Sequence, residues 1–450
     1  MTRIIEASIT LVAGHPERVN LVTTLLKNHQ GHDYYAYERG DCWYVGLGAS
    51  KSLVIDSRGQ SATIIVDHEE RAHPVKTSLS DVARDFLDQH WNQVGRVFGQ
   101  VGFNYAAHTR GYSYSPGSWP LLALMIPRNE VILRGDQVQV IGYDSNEVLD
   151  LTASIKEASH VRVPRHIPAI GTADLSGEYT SRVQRAQAEI TNGQYLKVIP
   201  SRAVDIPERV DMPGTLLQGR QSNSPSRTFC LNHAGYQATG FSPELVMSLD
   251  KGVVKTEPLA GTRSCKGTKA EVAKLRQELE TDSKEIVEHV ISVKEAIREI
   301  GQLCDRATVD DFMSVRERGS VQHLGSCVAG HLAPEKDMWD ALNVLFPSIT
   351  ASGIPKQAAI EAIERLESRP RELYSGAVLM LEGSDSMEAA LVLRTVFQGP
   401  DQQWIQAGAG VIAESKAARE LEETCEKLAS IAPYIVSESA VEEKDRREGV

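Results

Sequence analysis

Two stretches of the sequence carry pairs of glutamates at helical spacing. Glu285 and Glu288 lie three residues apart in KEIVEH, and Glu420 and Glu423 repeat that spacing in ELEET. Residues three apart share one face of a helix, so each pair presents two carboxylates side by side. Four converging carboxylates repel one another, and such hard oxygen donors suit Mg²⁺. The alternative is a solvated helix surface, on which Glu423 pairs with Lys427.

Two predicted helices position these carboxylates. Apolar residues at helical spacing predict one helix from Asp282 to Leu303 and another from Ser415 to Ile431, with Ser415 as the N-cap of the second. The predicted buried stripe of the first helix consists of Ile286, Val290, Val293 and Ile297. Each glutamate pair is then expected on a face beside its buried stripe.

Lys197 and Glu244 are candidates for proton transfer. Lys197 interrupts an apolar strand predicted from Tyr195 to Val204. Burial disfavours the charged form of a lysine, and a neutral amine can act as a general base. Glu244 stands just before the apolar strand LVMSL, where apolar walls would favour its acid form. The alternatives are a lysine on an edge strand and a loop carboxylate bonded to backbone amides.

A glycine-rich segment and an arginine are candidates for binding an anion. The segment QAGAG contains Gly408, Ala409 and Gly410, and its backbone amides can approach an anion closely. A tight turn or bulge explains the same glycines. Arg394 lies in the apolar run LVLRTV, which predicts a strand, so it needs an anionic partner. That partner is either a substrate carboxylate or a structural glutamate.

Composition narrows the classes of function. The chain has 450 residues, 60 acidic against 48 Lys and Arg, and a formal charge of −12, which disfavours a nucleic-acid partner. Its most apolar segment, PLLALMIP, is less than half the length that spans a membrane, and the N-terminus lacks the pattern of a secretory signal. The six cysteines form no CxxC pair, so we expect reduced thiols in a cytoplasmic protein.

Strand pairs and helices alternate along the chain without a linker or a repeat. This pattern predicts one large α+β domain over residues 1–436. A strand-rich part covers residues 1–170, and the candidate motifs lie within residues 195–430. Residues 437–450 are charged and aperiodic, which predicts a flexible tail.

Together these segments resemble the chorismate-utilising enzymes, which include anthranilate, aminodeoxychorismate, isochorismate and salicylate synthases. Within that family the chain is most similar to the salicylate synthases of siderophore biosynthesis, of the yersiniabactin type. The resemblance implies two antiparallel sheets packed against each other, helices outside them, and an active site between the sheets. The matching strings follow the family's order: YLKVIPSR, GFSPELV, TEPLAGTR, DSKEIVEH, RERGSVQHLGS, LFPSITASGIPK, ELYSGAV, WIQAGAGVI and ARELEETCEK.

The resemblance also implies roles for individual residues. Glu288, Glu420 and Glu423 match Mg²⁺ ligands, and Glu285 matches a contributor that acts through water. Lys197 matches the base that activates water for attack at C2 of chorismate, and Glu244 matches the acid that protonates the departing C4 hydroxyl. Residues that match contacts to the substrate carboxylates or to its ring are Gly261, Thr262, His323, Thr350, Tyr374, Arg394, Gly408, Ala409, Gly410 and Lys427.

The implied activity is a Mg²⁺-dependent conversion of chorismate through isochorismate to salicylate and pyruvate. Family members that use ammonia typically have Gln at the position of Lys197, so Lys197 indicates water as the nucleophile. An isochorismate synthase without pyruvate-lyase activity shares this lysine and remains the alternative, and Thr350 is the discriminating position. A non-catalytic chorismate-binding protein is a further alternative. We expect a monomer or a homodimer, with no nucleic acid and no membrane among its partners.

Overall fold

A computed structural model describes residues 4–11, 17–158, 170–174, 176–265, 267–318 and 321–438. Nothing is stated about the side chains of Thr262 and Arg318. The predicted contact through Thr262 therefore lies outside what the structure describes, as does the predicted tail beyond residue 438.

Several helices in the described ranges begin at a side chain that accepts a backbone N–H. Ser78, Asp144, Asp211, Asp282 and Asp337 act in this way, which satisfies amides that have no partner within the helix. The helices are α1 (Arg18–Asn28), α2 (Leu79–His90), α3 (Tyr105–Thr109), α4 (Ser145–Glu157), α5 (Glu178–Thr191), α6 (Met212–Arg220), α7 (Lys269–Thr281), α8 (Ser283–Ile300), α9 (Met338–Leu345), α10 (Lys356–Leu366) and α11 (Ala417–Leu428).

The strands alternate with these helices, and several are joined by tight turns. The turn between the second and third strands contains Gly40 at a φ of 62°, a conformation that favours glycine. The strands are β1 (Ile5–Thr10), β2 (Tyr34–Arg39), β3 (Cys42–Ile55), β4 (Ser61–Val66), β5 (Glu69–Pro74), β6 (Arg96–Val101), β7 (Leu122–Arg134), β8 (Gln137–Gly142), β9 (Lys197–Val198), β10 (Ser201–Ile206), β11 (Arg227–His233), β12 (Tyr236–Ser242), β13 (Leu245–Asp250), β14 (Val253–Thr256), β15 (Leu259–Ser264), β16 (Cys304–Arg318), β17 (Val321–Leu332), β18 (Gly353–Ile354), β19 (Ala377–Glu382), β20 (Ser386–Leu391), β21 (Thr395–Gln398) and β22 (Gln403–Gly408).

The antiparallel strands form one curled sheet with two limbs that share β3 and β7. One limb runs from β3 through β2, β11, β12, β21 and β22 to β10, and from β7 through β8 to β1. The other runs from β7 through β6, β19, β20, β13 and β14 to β17, which also pairs with β15 and β16. The short strands β9 and β18 pair only with each other among the described strands.

Three hydrophobic clusters hold the layers together. An inner cluster rich in aromatic side chains, among them Tyr35, Phe98, Phe229 and Trp404, packs between strands of the two limbs. One outer cluster lies beneath α2, α5, α8, α9 and α10, and the other lies beneath α1, α4 and α6. The predicted α+β fold, with packed antiparallel layers and helices outside them, is confirmed.

No helix in the described residues is both long enough and apolar enough to cross a membrane.

Candidate active site

A cavity of about 770 Å³, part of which is open to solvent, lies where β9, β22, α8 and α11 meet the loops after β12 and β20. Twelve of the sixteen predicted site residues line it: Lys197, Glu244, Gly261, Glu288, His323, Thr350, Tyr374, Arg394, Gly408, Gly410, Glu423 and Lys427. The sequence therefore identified most of the wall of this cavity.

Lys197 lies on β9, with its ammonium inside the protein. The predicted strand from Tyr195 to Val204 is interrupted at Pro200, which cannot donate to a ladder, so β9 ends at Val198. Lys197 is 3% exposed, and its Nζ lies 2.8 Å from Glu288 Oε1. Burial in a cavity wall rules out the edge-strand explanation for this lysine.

Glu244 is completely buried between β12 and β13. Its Oε1 accepts a hydrogen bond from Ser348 Oγ at 3.1 Å, and its Oε2 has no hydrogen-bond partner among the described residues. Burial raises the pKa of Glu244 to about 8, although the hydroxyl groups of Thr350 and Ser348 oppose this shift. The carboxyl group is therefore protonated at neutral pH and can donate a proton into the cavity.

The inward face of α8 is polar. Its N-cap Asp282 accepts from the amides of Lys284 and Glu285, which fixes the first turn. Glu285 and Glu288 are buried, whereas Val290 and Ile297 are 42% and 38% exposed. The predicted buried stripe is thus wrong at Val290 and Ile297, because the side of α8 that faces the protein is occupied by acidic side chains beside the cavity.

The second glutamate pair lies on α11. The predicted N-cap at Ser415 is wrong, since the helix begins at Ala417 and Ser415 Oγ accepts from the amide of Ile412 instead. Glu420 is 1% exposed. The presence of a buried carboxylate on this helix excludes a fully solvated face.

Each of the four carboxylates is paired with its own cation. The distances are 3.1 Å for Arg263–Glu285, 2.8 Å for Lys197–Glu288, 3.3 Å for Lys284–Glu420 and 2.8 Å for Lys427–Glu423. Across the described ranges, no three His, Cys, Asp or Glu side chains are grouped closely enough to hold a metal ion as they stand. The carboxylates are brought to one region, but ion pairs separate them.

The electrostatics of these carboxylates fit a divalent cation. Burial and the neighbouring Glu288 raise the pKa of Glu285, and burial and Glu423 raise the pKa of Glu420. Burial lowers the pKa of Lys284, but the charges of Glu420, Glu288 and Glu285 outweigh it and raise that pKa overall. One cationic group thus interacts with three of the four carboxylates. Hard oxygen donors around a shared positive charge are the ligand chemistry that Mg²⁺ requires.

Lys427 and Glu423 form a charged pair at the cavity. Lys427 Nζ also donates to Gly408 O at 2.9 Å, which ties α11 to the end of β22. Burial raises the pKa of Glu423, but the charge of Lys427 outweighs it and the pKa is lowered overall. Glu423 is therefore ionised. Its contact with Lys427, which was also expected if this helix face were solvated, lies in the cavity wall.

Arg394 does not lie in a strand, in contrast to the prediction. It occupies the connection between β20 and β21 at a φ of 51°, a conformation that is uncommon for a non-glycine residue and concentrates at functional sites. Its Nη2 lies 2.9 Å from His323 Nε2. The guanidinium thus lines the cavity from a loop, whose backbone is held where Arg394 O accepts from the amide of Phe241 on β12 at 3.2 Å.

His323 is held as a neutral imidazole. Its Nε2 accepts from Arg394, so the proton is on Nδ1, which donates to Gly261 O at 2.9 Å. Burial and the nearby Arg394 charge lower the pKa of His323 to about 3. Gly261 has a φ of 68°, and a Cβ there would lie 2.8 Å from Glu285 Oε2. Only glycine suits this position beside the carboxylates.

The glycine-rich segment approaches the cavity closely. A Cβ on Gly408 would lie 2.7 Å from Pro200 O, and one on Gly410 would lie 2.9 Å from Glu288 Oε1. Ala409 does not line the cavity, because its amide donates to Tyr179 Oη at 3.1 Å and to Pro200 O at 3.3 Å. Gly408 and Gly410 thus border the cavity on either side of a residue that anchors the segment.

Thr350 and Tyr374 complete the wall. Thr350 Oγ1 donates to Leu259 O at 3.4 Å, and its amide donates to Ser348 Oγ at 3.3 Å. Burial raises the pKa of Tyr374, so its hydroxyl stays protonated. The hydroxyl groups of Thr350 and Tyr374 therefore lie close to the space that a ligand would fill.

Three polar residues of this region were not predicted from the sequence. Ser348 bonds Glu244, Arg263 pairs with Glu285, and Lys284 pairs with Glu420. All three lie within strings that the resemblance had already marked, but their types alone indicate no chemistry. Their roles follow from contacts between segments far apart in the chain.

In chemical terms the cavity combines a buried amine, a buried carboxylic acid, two cationic side chains and a group of carboxylates. An anionic ligand is favoured near Arg394 and Lys427, Glu244 can donate a proton, and Lys197 is the candidate proton acceptor. Such an arrangement suits acid–base chemistry on a small anionic molecule.

Comparisons with known proteins identify the family of this chain. The salicylate synthase of Mycolicibacterium paratuberculosis is 38% identical over 423 residues, which are 92% of each chain. Component 1 of the anthranilate synthase of Spirochaeta aurantia is 35% identical over 58% of this chain and 54% of its own. In fold, the menaquinone-specific isochorismate synthase of Escherichia coli superposes with a TM-score of 0.74 at 20% identity, covering 96% of this chain and 95% of its own. A family model described as chorismate binding enzyme matches residues 32–433. The chain therefore belongs to the chorismate binding enzyme family.

Proposed function

We propose that this chain converts chorismate through isochorismate to salicylate and pyruvate. The observation that carries this proposal is the presence of Lys197 and a protonated Glu244 in the wall of one cavity. An exchange of hydroxyl groups on the ring needs a base to activate water and an acid to release the departing hydroxyl. The 38% identity to a salicylate synthase over 92% of each chain supports the same reaction.

In the first step Lys197 takes a proton from water, which attacks C2 of the ring. Glu244 donates its proton to the hydroxyl that leaves C4, so water departs and isochorismate forms. Ser348 donates to Glu244 Oε1, which leaves Oε2 as the oxygen available to the substrate. Each of the two proton transfers contributes about 10²- to 10⁴-fold to the rate.

The substrate has two carboxylates, which a chain of net charge −12 would repel without local cations. In our proposal Arg394 and Lys427 supply that charge, and Tyr374 and the backbone at Gly408 and Gly410 border the same space. A planar guanidinium binds a carboxylate through two parallel hydrogen bonds, which would orient the ring between the base and the acid.

Mg²⁺ is part of the proposal. Glu285, Glu288, Glu420 and Glu423 would hold it, directly or through water. Glu288 and Glu423 line the cavity, and Glu285 and Glu420 are buried on the same two helices. When bound, the ion supplies positive charge that neutralises these carboxylates and attracts a substrate carboxylate. Relief of the repulsion between neighbouring carboxylates favours its binding.

The second step eliminates pyruvate from isochorismate. The bond between the ring and the ether oxygen breaks, and the hydrogen on C2 moves to the methylene carbon of the departing enolpyruvyl group. Salicylate and pyruvate together then contain every atom of isochorismate, so the step needs no oxidant. Thr350, whose side chain lines the cavity, is the residue that we assign to this step.

The proposal extends to the setting of the reaction. Salicylate made in this way would serve as the aryl cap of a siderophore. The six cysteines are all free, which suits the reducing cytoplasm in which we place the enzyme.

Isotope labelling tests the proposed chemistry. The chain is incubated with chorismate and Mg²⁺ in water enriched in ¹⁸O, without ammonia, and the products are analysed by mass spectrometry. Water attack at C2 predicts one ¹⁸O atom in the phenolic hydroxyl of salicylate. Unlabelled salicylate would contradict water as the nucleophile, and labelled isochorismate without salicylate would assign the chain to the isochorismate synthases.

A further inference from the structure

A buried arginine outside the cavity connects two parts of its wall. Arg371 is 2% exposed and lies between α10 and β19. Its Nη1 donates to Ala351 O at 2.8 Å, and its Nη2 donates to Ile199 O. Ala351 follows Thr350 directly, and Ile199 lies two residues after Lys197. One guanidinium is thus hydrogen-bonded to the backbone near both Thr350 and Lys197.

Glu367 completes this connection. It pairs with Arg371, with Oε2 at 3.0 Å from Nε and Oε1 at 2.6 Å from Nη2. Glu367 Oε1 also accepts from the amide and the hydroxyl of Ser201, at 2.7 and 2.9 Å. Ser201 Oγ in turn accepts from Gln406 Nε2 at 2.8 Å, and Gln406 lines the cavity on β22. The buried ion pair therefore reaches a third part of the wall.

The two main segments also bond each other directly. The Ile199 amide donates to Ser352 O at 2.9 Å, and β9 pairs with β18 through Lys197 and Ile354. Each of these strands has only two residues, so their ladder is short. The guanidinium supplies a second attachment next to the Ile199–Ser352 hydrogen bond, through Ile199 O and Ala351 O.

We propose that Arg371 is a positioning residue that holds the Lys197 strand and the Thr350 loop in one fixed relation. This inference rests on the proposed function. Isochorismate formed beside Lys197 is then converted beside Thr350 before it leaves the cavity. Arg371 does not line the cavity, so its effect on the reaction passes through the groups that it contacts. These are the two carbonyl groups, Glu367, and the ring of Tyr374, whose centroid lies 5.6 Å from the guanidinium carbon.

Arginine suits this task and lysine does not. The planar fork of a guanidinium directs donors to two carbonyls and a carboxylate at the same time, whereas a lysine has one nitrogen at the end of a flexible chain. Arg371→Lys keeps the charge next to Glu367 but leaves at least one buried carbonyl without its donor. The substitution therefore loosens the connection without removing the buried charge.

The test compares Arg371→Lys with Arg369→Lys. Arg369 lies on the same segment, but its Nη1 pairs with the exposed Asp205 at 2.9 Å and its guanidinium stacks on Trp404. Chorismate and Mg²⁺ are supplied, and released isochorismate, salicylate and pyruvate are quantified together. For Arg371→Lys we expect about a 10²-fold fall in kcat for salicylate, a KM for chorismate within about threefold of wild type, and a raised ratio of isochorismate to salicylate. Arg369→Lys is expected to behave as wild type.

Glu367→Gln provides a second variant in case Arg371→Lys does not fold. It keeps the shape of Glu367 and one of its two accepting oxygens but removes the charge that orients Arg371, so the product ratio should shift in the same direction. Melting temperatures of all variants are recorded alongside.

The inference is overturned if the folded variants release the two products in the wild-type ratio, whether or not the total rate falls. A uniform fall would mean that the ion pair supports only the fold. Wild-type protein that makes no salicylate would contradict the proposed function itself, and that result is recognised in the same assay before any variant is compared.

Discussion

Lys197 Nζ lies 2.8 Å from Glu288 Oε1, and both side chains are at most 10% exposed in the wall of one cavity. The candidate base and a candidate metal ligand therefore touch in the described structure. Lys197 lies on the two-residue strand β9, and Glu288 lies on α8. The two side chains meet because β9 ends at the cavity and the acidic face of α8 points inward. Two proposed functions, water activation and metal binding, are thus adjacent.

Replacement of the base tests the first half-reaction. Lys197→Gln keeps a hydrogen-bond donor near Glu288 but cannot accept a proton from water. We expect kcat to fall by about 10²- to 10⁴-fold for salicylate and isochorismate alike. Lys416→Gln changes an exposed lysine next to α11 and should leave the rate unchanged. Unimpaired salicylate formation by Lys197→Gln would contradict the proposal that Lys197 is the base.

The acid predicts a pH dependence. Burial raises the pKa of Glu244 to about 8, and the reaction requires its protonated form. Below pH 8 the acid is present, so kcat/KM should not depend on this group, and above pH 8 it should fall about tenfold per pH unit. A profile of kcat/KM from pH 6 to pH 10 measures this. Glu244→Gln should lose most activity, and its residual kcat/KM should not decline near pH 8. If kcat/KM of this variant still declines there, the decline belongs to another group and not to Glu244.

Thr350 tests the second half-reaction. Its hydroxyl donates to Leu259 O and lies in the cavity wall, so Thr350→Ala removes a polar group from the proposed site of elimination. We expect isochorismate to accumulate from chorismate while its formation continues. Chromatography of the products gives the ratio directly. If this variant made salicylate as its sole product, a role of Thr350 in pyruvate elimination would be contradicted.

The carboxylates predict how Mg²⁺ binds. Glu420→Gln removes a buried carboxylate from the proposed metal site, and Glu422→Gln removes an exposed one on the same helix that pairs with Arg419. Calorimetric titration with Mg²⁺ should show about a tenfold or greater loss of affinity for Glu420→Gln and no change for Glu422→Gln. Chelation of the metal should abolish activity, and added Mg²⁺ should restore it. Equal affinities in both variants would exclude Glu420 as a ligand.

The sequence predicted the fold class and most of the cavity wall. Residue type and spacing indicated Lys197, Glu244 and the glutamate pairs, because buried or clustered charge is unusual and demands an explanation. The family resemblance then supplied residues such as His323 and Tyr374, whose types alone indicate nothing. Both kinds of inference identified residues that line the same cavity, whereas Glu285, Glu420 and Ala409 do not line it.

The errors have physical causes. Apolar periodicity on α8 predicted that Val290 and Ile297 are buried, but the cavity reverses the usual arrangement by placing acids inward. Arg394 was expected in a strand because its neighbours are apolar, yet it takes a positive φ between two strands. The contacts of Ser348 and Arg371 depend on segments that only the folded chain brings together. The local sequence pattern does not indicate such contacts.

The central claim is that one protein carries out both steps. The most direct measurement is the stoichiometry of products from chorismate and Mg²⁺ in the absence of ammonia, with salicylate read by fluorescence after chromatography and pyruvate by a coupled enzyme. We expect salicylate and pyruvate in equal amounts. Isochorismate without pyruvate would contradict the bifunctional assignment, and no consumption of chorismate would contradict an enzymatic role.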